Sequence, residues 1–87
     1  MELIPGKLYT NIYYGDLTAY TGINNKVLRI PPETILLYLK SSFASNPFIE
    51  CFFIYGTIEI SFILSPRNLP TYFGEVYYWL QTKFMLH

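Results

Sequence analysis

The residues from which catalysis could be assembled are few: one cysteine (Cys51), one histidine (His87), one aspartate (Asp16) and five glutamates. A thiol nucleophile needs a base held within hydrogen-bond reach. His87 is the last residue of the sequence, where a chain seldom holds an imidazole in fixed geometry. Cys51 lies in an apolar run, where burial raises a thiol pKa and quiets it. It is expected to be structural. One Cys, one His and one Asp also make no metal-ligand set, so neither metal nor cofactor is expected.

Glu50 and Glu59 could form an acid–base pair if they met. A hairpin turning at Gly56-Thr57 puts Glu59 opposite Ile54, four residues from Glu50. That separation is roughly 13 Å along a strand, beyond the ~5–9.5 Å of carboxylates that cleave glycosides. They read as solvated groups that blunt aggregation. Gly6, Gly15, Gly22, Gly56 and Gly74 stand alone at turn positions and form no phosphate-binding loop. The cations Lys7, Lys26, Arg29, Lys40, Arg67 and Lys83 are scattered and net charge is zero. Nucleic-acid binding, which gains from neutralising several phosphates at once, is therefore not expected. The expectation is no enzyme.

Aromatic side chains remain, at 20% of the sequence against 14% charged, where soluble domains carry about 25% charged. Tyr9, Tyr13, Tyr14 and Tyr20 crowd the first third, and Tyr72, Tyr77, Tyr78 and Trp79 the last. Such rings can pack a core, fill a protein interface or stack bases. Adjacent aromatics cannot all point inward from one strand, so Tyr77, Tyr78, Trp79 and Leu80 are the candidate interface. Few charges and no net repulsion favour association. The expected partner is protein, foremost another copy of the chain in a homo-oligomer.

The elements that must position these groups follow from length and punctuation. Eighty-seven residues make one domain, 1–87, and bury only roughly 60–65% of the unfolded surface. Lys7–Tyr14 reads as a first strand and Leu17–Asn25 as an excursion with a short strand at Thr18–Thr21. Lys26–Ile30 is short and β-branched, and Pro31-Pro32 makes a corner. Ile35–Leu39 has no polar face and suits a strand buried on both sides, with a helix from Glu33 the alternative. Lys40–Pro47 reads as a loop.

Phe48–Tyr55 and Ile58–Leu64 flank Gly56-Thr57, a type II′ hairpin signal. That turn pairs Tyr55 with Ile58, Phe53 with Ile60, Cys51 with Phe62 and Ile49 with Leu64, giving one apolar face. Ser65–Pro70 ends the hairpin. The tail reads as a 3₁₀ turn near Leu69–Phe73 and a last strand at Glu75–Leu80, or else as an amphipathic helix carrying Phe73, Val76, Tyr77, Leu80 and Phe84.

Five or six short strands give a mostly β fold, a small barrel or two packed antiparallel sheets. The order of strand, long first loop, strand, tight hairpin, proline-flanked turn and last strand resembles the SH3-like barrel. Its aromatic–acidic first-loop segment is represented by Leu8-Tyr9 and Tyr13-Tyr14-Gly15-Asp16, and no tryptophan opens the hairpin. Proline-peptide binding is therefore not implied by the resemblance. The function expected is a non-enzymatic interaction or assembly module, with a nucleic-acid-binding barrel that uses surface aromatics as the alternative. No signal peptide or membrane span is legible, so an intracellular setting is expected and a membrane partner is not.

Overall fold

A computed structural model describes residues 1–22 and 26–76. Within them the chain forms seven strands: β1 (Leu8–Asn11), β2 (Leu17–Thr21), β3 (Val27–Ile30), β4 (Ile35–Ser45), β5 (Phe48–Tyr55), β6 (Ile58–Leu64) and β7 (Phe73–Glu75). A 3₁₀ turn, Pro66–Asn68, and a single helical turn, α1 (Leu69–Tyr72), separate β6 from β7. The strands make one antiparallel sheet in the order β3-β2-β6-β5-β4-β1-β7, curled toward a half-barrel.

The β5–β6 hairpin is the centre of the sheet. Its register is the expected one, with Tyr55 opposite Ile58, Phe53 opposite Ile60, Cys51 opposite Phe62 and Ile49 opposite Leu64. Gly56 takes a positive φ of 63°, which only glycine adopts freely. A one-residue slip would put Phe53 and Phe62 into water, so the apolar pattern locks the pairing. Cys51, Phe53, Ile60, Phe62 and Leu64 are all buried.

Curling brings the far edge of the sheet over this centre. Phe73 belongs to β7, three strands from β5, yet its ring stacks on Phe53 at 5.0 Å and meets Phe62 edge-on at 5.2 Å. Tyr38 and then Tyr9 continue the ring chain from Phe53. Leu3, Ala19, Ile30, Leu36 and Leu69 fill the remaining core. A Cβ at Gly74 would lie 2.8 Å from Ile12 Cγ2. Glycine there lets the Ile12 side chain lie against β7.

Four expectations are corrected. Lys40–Ser45 is strand, not loop, and pairs with Phe48–Phe52. Its residues are exposed, so no core imposes apolar alternation and the polar composition hides the strand. Ile35–Leu39 is buried on one side only: Leu36 and Tyr38 point inward while Ile35 is exposed. The strand count is seven rather than five or six, because the first excursion forms a full hairpin, β2–β3. The last strand starts at Phe73, and the expected Glu75–Leu80 strand falls largely outside the described residues. The short helical element before the last strand is found as expected: α1 falls within Leu69–Phe73, preceded by the 3₁₀ turn Pro66–Asn68, and Pro66 and Pro70 each suit the first positions of a helical turn.

Asn11 closes the curl. It is fully buried, and its Nδ2 donates to the carbonyls of Ile30 (3.0 Å) on the opposite sheet edge and of Gly15 (3.1 Å). Its Oδ1 accepts from the Tyr13 N–H at 2.8 Å. Its backbone accepts from Glu33 N at 2.8 Å and donates to Thr34 O at 3.2 Å. Replacing Asn11 by Ala removes the side-chain partner of one buried carbonyl, that of Ile30, at a cost of about 1–3 kcal/mol, and of two partly buried groups, Gly15 O and Tyr13 N, at less. We expect Asn11→Ala to lower the unfolding free energy by about 2–3 kcal/mol in a urea titration. A loss under about 1 kcal/mol would show that the seam closes without this amide.

Candidate functional site

β2 pairs with β6 only through Tyr20↔Ser61 and Thr21↔Ile60, although β6 runs on to Leu64. Beyond Tyr20 the two strands part. A cleft of about 380 Å³ lies there, walled by Leu17 and Thr18 on one side and by Phe62, Ile63, Leu64 and Ser65 on the other. Tyr13 and Asp16 from the first loop, Phe48, Asn68 and Tyr72 form its rim.

Two anchors place the rim tyrosines. Asn11 Oδ1 holds the Tyr13 N–H, and the Ile12 N–H donates to Tyr72 O at 2.9 Å, bringing α1 against the first loop. Tyr13 then contacts Tyr72 edge-on, with ring centres 5.1 Å apart. Tyr14 lies tilted on Tyr13 at 4.2 Å, and the Tyr13 hydroxyl donates to the Tyr14 hydroxyl at 2.9 Å. Tyr14 is 90% exposed. That hydrogen bond, followed by partial desolvation and the neighbouring phenols Tyr14 and Tyr72, raises the Tyr13 pKa. The phenol stays protonated at neutral pH. Among the described residues the cleft therefore offers ring faces, hydroxyls and one carboxylate, Asp16.

Of the tyrosines singled out in the sequence, the structure divides them in three. Tyr9 is core, its hydroxyl accepting from Ile4 N at 2.8 Å. Tyr13 and Tyr72 meet at the cleft, and Tyr14 lies on the outer side of Tyr13, exposed. Tyr20 stands between the cleft and a second groove on the outer sheet face. The candidate interface Tyr77, Tyr78, Trp79 and Leu80 lies outside the described residues, as do His87 and Lys83. Asn11 was missed as a site-positioning residue. Its signal is parity: it shares the inward face with Tyr9, and a polar residue there must find partners.

Glu50 and Glu59 occupy the outer face of the hairpin, with Glu59 opposite Ile54 and Glu50 opposite Ile63. Glu50 Oε2 accepts from the Ser61 hydroxyl at 2.7 Å. Two of the cations are engaged elsewhere: Lys7 pairs with Glu75 at 3.0 Å, and Lys40 sits 5.3 Å over the Phe52 ring. Among the described residues no group of three His, Cys, Asp or Glu could hold a metal ion, and no helix is long and apolar enough to cross a membrane.

Cys51 is fully buried. Desolvation pushes its thiol pKa up, and Glu50 adds to this. The Ser41 hydroxyl, which donates to Sγ at 3.3 Å and shares a short hydrogen bond with the Tyr38 hydroxyl, opposes it in part. A raised pKa keeps the neutral thiol at pH values where a free cysteine, with pKa about 8.5, is already half ionised. Folded protein is expected to react with a thiol reagent at least about a hundredfold more slowly than urea-unfolded protein at that pH, because reaction requires opening. Equal rates would place the thiol at the surface.

No family model, no curated protein and no solved structure matches the chain.

Proposed function

We propose that this domain is a non-catalytic protein-interaction module of the SH3-like barrel type, which takes an extended segment of a partner protein in the tyrosine-rimmed cleft. The sheet order β7-β1-β4-β5-β6, the β2–β3 hairpin set in the first long loop and the helical turn before the last strand support the barrel reading. The observation that carries the function is that Tyr13 and Tyr72, distant in the chain, meet at the rim of one cleft, with the exposed Tyr14 ring lying on Tyr13. Tyrosine supplies rigid contact area at low entropic cost and a hydroxyl that tolerates water while waiting for a ligand. An exposed ring is otherwise an expense to solubility.

Base stacking is the rival use of such rings, and Tyr14 has the exposure for it. Charge argues against it. Among the described residues the cleft's lining carries one charged residue, Asp16, whereas a nucleic-acid groove tracks phosphates with cations. Selection of peptides from a random displayed library against the intact chain tests the reading. Selected peptides should lose about tenfold in affinity with Tyr14→Ala, the size of one aromatic contact at an interface. Tyr14 is exposed, so its removal leaves the core intact. Peptides indifferent to both Tyr14→Ala and Tyr72→Ala would overturn the assignment, and tyrosine-dependent binding of single-stranded DNA or RNA would favour the rival.

Self-association belongs to the same reading. Net charge is zero, and exposed apolar side chains include Phe43, 75% exposed near the tip of the β4–β5 hairpin. Sedimentation should show the mean mass rising toward a dimer between roughly 5 and 200 µM, as mass action requires. A constant monomer mass across that range would remove the homo-oligomer.

A further inference from the structure

We propose that the outer face of β2, β6 and β5 is a second binding site, which takes an extended basic protein segment bearing two cationic side chains four residues apart. The pairings place Tyr20 beside Ser61, Ser61 beside Phe52 and Phe52 beside Lys40, a row across the sheet. Glu50 lies two residues to one side of that row on β5, and Glu59 two residues to the other side on β6. A groove of about 560 Å³ contains both carboxylates together with Tyr20, Phe52 and Ser61. The face thus has an aromatic centre and a negative charge at each end.

Spacing selects the ligand. Glu50 and Glu59 are four residues apart in register, roughly 13 Å between their backbone positions along the strand direction. That backbone separation equals the separation of residues i and i+4 in an extended chain. A lysine or arginine at each of those positions meets one carboxylate, and an apolar residue between them lies over Phe52 and Tyr20. Glu50 is already oriented for this role, since the buried Ser61 hydroxyl holds one of its oxygens. The Phe52 ring already accepts a cation, with Lys40 Nζ 5.3 Å from its centre, as the negative face of an aromatic ring favours. Two carboxylates against one ammonium leave the groove negative, so charge complementarity names a basic occupant.

This site has walls distinct from the tyrosine cleft except for Tyr20, so the two can fail separately. The test is a titration of the intact chain, followed by amide NMR, with the synthetic peptide Gly-Lys-Ser-Leu-Ser-Lys-Gly and with its counterpart carrying Glu for both Lys. The lysine peptide should shift the amides of Phe52, Glu59 and Ser61, and the shifts should fade in roughly 0.5 M salt, where exposed charges are screened. Glu59→Gln and Glu50→Gln should each weaken it about threefold, the scale of one exposed charge pair. Lys40→Ala should leave it unchanged or tighten it, because a competing cation is gone. Tyr14→Ala should leave it unchanged. Equal binding of the glutamate peptide, full affinity in both Glu→Gln variants, or weakening by Lys40→Ala would each overturn the proposal. Glu59 is exposed, so Glu59→Gln remains informative even if Glu50→Gln disturbs the fold.

Discussion

One buried amide decides the shape of this molecule. A seven-stranded antiparallel sheet curls by its own twist, but twist alone does not tell its edges where to stop. Asn11 does, by bonding across the seam from β1 to the Ile30 carbonyl on β3. Every polar atom of its side chain and backbone is used, which is the condition under which a fully buried amide stabilises rather than costs. The ring chain Tyr9, Tyr38, Phe53, Phe62 and Phe73 depends on this closure, because Phe73 reaches Phe53 only if the β1–β7 edge folds over the hairpin.

Bending of the sheet is distributed along β4. Its first half pairs with β1 through Ile35–Leu37, and it pairs with β5 from Leu37 to Ser45. Register shifts fall between Tyr38 and Lys40 and between Phe43 and Ser45. Bulges of this kind kink a strand and increase its twist, so a single element passes from the closed end of the half-barrel to an exposed arm. The inner half is read easily from Leu36 and Tyr38. The outer half is not, since its exposed residues Lys40, Ser41, Ser42 and Ser45 carry no apolar period.

The same contrast explains what was legible elsewhere. The β5–β6 hairpin could be placed to the residue because two independent rules agree: a glycine where positive φ is needed, and a run whose alternation survives only one register. Tyrosine obeys no such rule. Its body suits a core and its hydroxyl suits water, so Tyr9 and Tyr13 look alike in the sequence, although one is sealed and the other lines a cleft. The register of Glu50 and Glu59 was legible, with Glu59 opposite Ile54 as the Gly56-Thr57 turn requires. Their relation to Tyr20 was not, because β2 meets β6 through only two residue pairs, and nothing in the sequence of Leu17–Thr21 specifies that contact.

Closure and cleft are two consequences of the same bonds. Asn11 draws both Gly15, just before β2, and Ile30, at the end of β3, toward β1. Leu17 pairs with Ile30, so the start of β2 is held at the seam while its other end, Tyr20–Thr21, stays on β6. A strand fixed at the seam by one end and at the sheet by the other must diverge from its neighbour, and the gap between Thr18 and Ile63 is that divergence. The tyrosines then rim the gap because Tyr13 takes its backbone bond from the same amide. Closure of the core and opening of the cleft are thus coupled through one side chain. The outer groove escapes the coupling: its carboxylates stand on the hairpin, whose register owes nothing to Asn11.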